Sequence, residues 1–234
     1  MIRTRSKLLV HWTGKDLLDC DRAEGIQQHV DRLVSIYREG LHLSVPPTED
    51  ILRSVNPNDA TLPNLPSICF SELRISNSDR LASDYGKLGI GFRREYLMKY
   101  GANPVFYLQS AHSGIVNTNI SQLREIVKPG FVGAANVILA YCKPMSRKGE
   151  ENLSHYEDHE WRIVQTTGGI PLPQEFKQGA SGGKMSFHFD HAEVQVIIFP
   201  SPEVRTKTLA NSYLIDILKT RMPMMLDHDA CSEL

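Results

Sequence analysis

A chain of 234 residues makes one large domain or two small ones and is long enough to bury a substantial core. Its 41% hydrophobic and 23% charged residues are the make-up of a soluble globular protein. A net charge of -1 excludes a bulk basic field for non-specific nucleic-acid binding, and no apolar run approaches the roughly 20 residues of a membrane span.

The basic start, Met1 to Lys7, is followed only by Leu8, Leu9 and Val10, too short for a signal-peptide core. Ser6 to Trp12 reads as a first strand that ends in His-Trp-Thr-Gly. Gly25 to Glu39 reads as a helix, because Ile26, Val30, Leu33, Val34 and Tyr37 recur at helical spacing. Gly40 closes it and Leu41 to Val45 extends beyond. Pro46 to Pro66 is a long irregular connection, Ser67 to Phe70 a buried strand, and Asn77 to Tyr85 a short helix ended by Gly86. Leu88 to Phe92 is a strand, Arg93 to Tyr100 a helix closed by Gly101, and Pro104 to Leu108 a further strand.

Asn119 to Val127 reads as a helix, and Phe131 to Tyr141 as a helix that passes into a strand. Met145 to Asp158 is charged and loop-like. Glu160 to Gln165 is a strand turned by Thr166 to Gly169, and Gln174 to Lys184 is a glycine-rich loop suited to cover a site. Lys184 to Phe189 and Glu193 to Phe199 are late strands, and Ser201 to Arg221 is one long helix capped by Ser201. Interleaved early elements and clustered late strands predict a single α+β domain over residues 1–234, with a mixed or split antiparallel sheet.

Four dispersed cysteines, Cys20, Cys69, Cys142 and Cys231, fit neither a zinc site nor a disulfide framework, and they point to a reducing, cytoplasmic setting. His155 and His159 stand four apart, but HExxH is absent, so no metal site is expected. No nucleophile elbow and no Cys/His nucleophile pair stands out.

Some segments place chemistry where binding residues belong. His11, Thr13 and Gly14 sit at a strand end, where a ring faces a ligand or simply bonds a neighbouring loop. Ser71 and Glu72 mark an abrupt polar strand end, equally suited to capping a turn. Gly89 and Gly91 share one strand face and are expected to leave it bare for a backbone or a flat ligand. Glu160 and Arg162 share another strand face about 7 Å apart, as a binding pair or as a structural ion pair.

These segments in order, Leu9 to Gly14, Ile68 to Leu73, Tyr85 to Phe92, Gly101 to Tyr107 and Glu160 to Arg162, resemble the AbiGi-type abortive phage-resistance family over residues 8–165. That resemblance implies bacterial antiphage defence, with a cognate defence-system protein or a phage protein as partner. The later segment 184–221 adds strands and a helix without a motif.

A more distant layout is similar to the DarT-like ADP-ribosyltransferases. It implies an ADP-ribosyltransferase-like fold and NAD as substrate, with Glu160, His11 and Tyr85 as catalytic residues. His11, Thr13, Gly14, Ser71, Tyr85 and Arg162 then hold the NAD, and a protein or nucleic acid accepts the ADP-ribose. Two functions follow: an NAD-consuming defence effector, or a non-catalytic antitoxin or phage-sensing module.

Overall fold

The structure is a computed structural model, and it describes residues 7–44, 65–72, 78–108, 137–145, 156–165, 173–178 and 184–229. The first half of the chain forms β1 (Leu8–Thr13), α1 (Ala23–Glu39), β2 (Leu41–His42), β3 (Ser67–Glu72), α2 (Ser78–Tyr85), β4 (Leu88–Arg93), α3 (Arg94–Met98), β5 (Asn103–Pro104) and β6 (Phe106–Leu108). The second half forms β7 (Cys142–Pro144), β8 (Glu160–Val164), β9 (Phe176–Gln178), β10 (Met185–Phe187), β11 (Val194–Phe199), α4 (Pro202–Ala210), α5 (Ser212–Thr220) and β12 (Met224–Asp227). Two compact units divide the chain: Met1–His42, Phe70–Lys99 and Glu175–Leu234 in the first, Leu43–Cys69 and Tyr100–Gln174 in the second.

In the first unit the sheet runs β12, β11, β4, β1 and then the end of β3. Its pairs are antiparallel, except that β11 and β12 run parallel, so the sheet is mixed as the α+β pattern predicts. β1 and β4 pair along their full lengths, from Leu8 opposite Arg93 to Thr13 opposite Leu88. Successive side chains of a strand point to opposite faces. One face therefore gathers Val10 and Trp12 with Leu81, Val196 and Ile198. The other gathers aromatic rings, with Phe92 in edge contact with Phe70 and Phe189.

Gly89 and Gly91 correct the expectation of a bare surface. A Cβ on Gly91 would stand 2.4 Å from Val196 Cγ1, and one on Gly89 would stand 3.0 Å from Val10 Cγ1. The space beside these glycines is filled by branched side chains of the flanking strands. The glycines are what allow three bulky neighbours, Val10, Val196 and Ile198, to meet over β4.

α1 buries His29, Val30, Leu33, Ile36 and Tyr37: three residues of the expected stripe are there, while Ile26 and Val34 are half-buried and the buried face turns towards His29 and Ile36. Gly25 is fixed by contact: a Cβ there would lie 2.1 Å from the Asp19 carbonyl oxygen, so the loop before the helix presses on its first turn. The single helix expected over Ser201 to Arg221 is two. Asn211 leaves the helical region at φ -76, ψ 118, and its side chain caps α5 by accepting from the Leu214 amide at 3.1 Å. Within Gln174 to Lys184, expected as loop throughout, Phe176–Gln178 pairs with β10, which also pairs with β2; residues 179–183 lie outside the described set.

In the second unit β8 lies between β3 and β5. The strand expected over Pro104 to Leu108 changes partner at Val105. Its amide bonds Glu160 O at 2.9 Å, and the next amide, of Phe106, bonds Tyr141 O at 2.8 Å. β5 thus serves β8, while β6 pairs in parallel with β7. The helix expected over Asn119 to Val127, the turn at Thr166 to Gly169 and nearly all of Pro46 to Pro66 lie outside the described residues. Among the described residues, no helix is long and apolar enough to cross a membrane.

The packing over β4 is directly testable. Gly91→Ala forces the added methyl against Val196 and is expected to lower stability by about 1–3 kcal/mol. Combining it with Val196→Ala should return part of that loss, read from urea denaturation of the three variants.

Candidate functional site

β8 begins with a residue that the backbone sets up. His159 holds a left-handed φ of 43, the one non-glycine residue to do so among the described residues. The chain turns there from the short 3-10 turn Tyr156–Asp158 into the strand, and both acidic flanks, Asp158 and Glu160, end up buried.

Glu160 is shared by two cations. Arg162 Nε donates to its Oε1 at 2.5 Å, and Lys143 Nζ donates to its Oε2 at 2.6 Å. Lys143 also donates to Asp158 Oδ2 at 3.0 Å, and Arg162 Nη1 donates to Ala140 O at 2.7 Å. The Glu160 amide donates to the Tyr107 hydroxyl at 2.7 Å. Glu160 is 5% exposed and Asp158 2%, so two carboxylates and two cations balance in a space nearly closed to water.

The protonation states follow. Burial pushes the Glu160 carboxyl upward, but the charges of Lys143 and Arg162, with their hydrogen bonds, outweigh it and hold the group at about 2. Burial acts on Arg162 in the opposite sense, and the Glu160 carboxylate outweighs it, so the guanidinium stays charged. Burial, with Glu160 beside it, pushes the Cys69 thiol up to about 12, far from a thiolate nucleophile.

The other residues singled out by sequence lie in the first unit, apart in the chain from Glu160 and Arg162. His11 sets its ring edge-on to Phe70, centroids 5.9 Å apart. Thr13 Oγ1 accepts from Arg32 Nη1 at 3.0 Å, and Arg32 also holds Asp16. Ser71 is buried opposite Val10. Tyr85 packs on the cluster of Trp12, Leu81 and Ile198. His11 and Trp12 are neighbours on one strand and point to opposite faces, so His11 and Tyr85 occupy opposite faces of this sheet.

Gly14, at φ 97, lines a recess with His29 and Cys20. Sequence alone suggested no Cys/His pair, yet Cys20 Sγ lies 3.5 Å from His29 Nδ1. Burial raises the Cys20 thiol, so the pair is not an activated nucleophile. Lys143 and Asp158 were also missed, since nothing in their local spacing marks them as partners of Glu160. Among the described residues, no three His, Cys, Asp or Glu side chains are placed to hold a metal, and none of the three described cysteines is in a disulfide.

Residues 53–170, just over half of the chain, match a family model described as "Putative abortive phage resistance protein AbiGi, antitoxin". The match contains β8 with Glu160 and Arg162, and it does not reach His11. No curated protein and no solved structure matches the chain.

Glu160→Gln keeps the side chain's shape and leaves two buried cations facing Asp158 alone. It is expected to cost about 3–5 kcal/mol in urea denaturation at neutral pH. A carboxyl held near 2 in the fold and near its ordinary 4.5 when unfolded stabilises the fold above pH 4.5, and that contribution is lost as pH falls towards 2. Wild-type stability should therefore drop steeply across this window, and Glu160→Gln should flatten the drop.

Proposed function

The chain belongs to the AbiGi family of abortive phage-resistance antitoxins, and from that premise we propose that it is a non-catalytic antitoxin that restrains a toxic partner of the same defence system. The observation that supports this reading is the closed state of Glu160. Both of its oxygens are bonded, to Arg162 and to Lys143, within a buried and charge-balanced cluster. An antitoxin needs a stable surface and no reaction centre, and a sealed ion network serves the first requirement.

NAD-dependent transfer places a different demand on the same residue. Breaking the bond to nicotinamide leaves a cationic sugar, and a fixed anion must face it. Glu160 would first have to release Lys143 or Arg162, leaving a buried cation without its counter-charge. The antitoxin reading requires no such rearrangement.

The experiment expresses the gene with its flanking genes in a bacterial host and then deletes it alone. Growth arrest on deletion, relief when the gene is supplied again, and no NAD turnover by the purified chain are the expected results. A harmless deletion, together with NAD consumption that Glu160→Gln slows by about two to four kcal/mol of barrier, would replace the antitoxin with a transferase.

A further inference from the structure

The recess at the end of β1 has a volume of about 570 Å³, within the range of small-molecule sites. Its walls are set by backbone contact. A Cβ on Gly86 would lie 2.3 Å from both Thr13 O and Lys15 N, so the end of α2 is pressed on the chain just after β1. Gly25 holds the same loop against α1 on the other side. Two glycines thus fix a loop that would otherwise be free to fill the space.

His29 stands at the base of this recess, 4% exposed. Its Nδ1 lies 2.8 Å from Gly25 O. A carbonyl only accepts, so Nδ1 carries a proton, and in the tautomer with that single ring proton the lone pair lies on Nε2. Nε2 has no hydrogen-bond partner among the described residues, and it points to where a Gly14 Cβ would be, 3.2 Å away. A side chain at Gly14 would crowd that nitrogen; glycine leaves it open.

The rim carries charge of both signs. Lys15, Lys87, Asp19 and Asp21 line it, all are exposed, and none forms an ion pair among the described residues. At the start of α4, Pro202 has no amide hydrogen to offer and the Val204 amide donates to Ser201 Oγ. The lining offers cations for an anionic group and acceptors, His29 Nε2 and the two aspartates, for hydroxyl donors.

We propose that this recess binds a small hydroxylated phosphate ester, a sugar phosphate or a mononucleotide, with a hydroxyl donating to His29 Nε2 and the phosphate held by Lys15 and Lys87. The site lies wholly in the first unit, with Ala82, Gly86 and Lys87 inside the family match and the rest of its lining outside it, and none of its argument uses the antitoxin reading.

Calorimetric titration of the full chain with ribose 5-phosphate and with AMP tests it, with inorganic phosphate and ribose as the divided halves of the ligand. Saturable binding of at least one ester is expected, at least about tenfold tighter than either half. Whichever ester binds tighter identifies the source. His29→Asn places an amide where Nδ1 donates to Gly25 O and removes Nε2, and Lys87→Ala alters only the rim; each should weaken binding by at least about tenfold. A shift of the His29 Nε2 resonance on adding the ester reads the contact in the unaltered protein, whether or not His29→Asn folds. Absence of saturable binding up to about 10 mM, equal binding of phosphate alone, or an unmoved Nε2 resonance would overturn the proposal.

Discussion

A carboxylate cut off from water stays charged only when cations replace the lost solvent, and Glu160 is such a group. The second unit is arranged around that requirement. β7 supplies Lys143, β8 supplies Arg162, the turn before β8 supplies Asp158, and Tyr107 of β6 receives the Glu160 amide. Each partner comes from a different short strand or turn. Such strands hold few ladder bonds, and a shared ion network is what ties them to one another. Removing any one of the four charges leaves the rest unbalanced, which makes the cluster a fastener that tolerates little substitution.

The first unit is held by a different means. There the centre is apolar, and the register of β1 on β4 decides which face each residue serves. The branched side chains over Gly89 and Gly91 on one face and the aromatic rings on the other lock that register. The recess is a by-product of the same packing, because the turn after β1 must pass between α1 and α2 at the two points where glycine replaces a side chain.

Much of this was legible in the sequence wherever periodicity and glycine punctuation agree. β1, α1, α2, β4, β8 and β11 appear within a few residues of where their patterns put them. What was not legible depends on partners distant in the chain. Asn211 gives no local sign that it will stop a helix, since Ala210 and Ser212 both allow one to continue; the break is set by its cap on Leu214. The strand Met224–Asp227 lacks alternation and is strand only because β11 offers an edge. Glu160 and Arg162 were visible as a pair on one face. Lys143 was not, because its meeting with Glu160 rests on pairings with no sequence signature. His29 looks like one more residue on the buried stripe of α1, and its open nitrogen shows only once Gly14 and Gly25 are seen in contact.

The parallel pairing of β11 with β12 affects how the chain comes off the ribosome. β11 can dock on β4 as soon as it emerges, since β4 precedes it, but its far edge has no neighbour until α4 and α5 have been made and β12 follows. Throughout that interval a strand whose residues become almost wholly buried presents unpaired backbone to the crowded cell. The nascent protein is therefore most exposed to mispairing late in synthesis, and the pace of translation through α4 and α5 sets how long that exposure lasts.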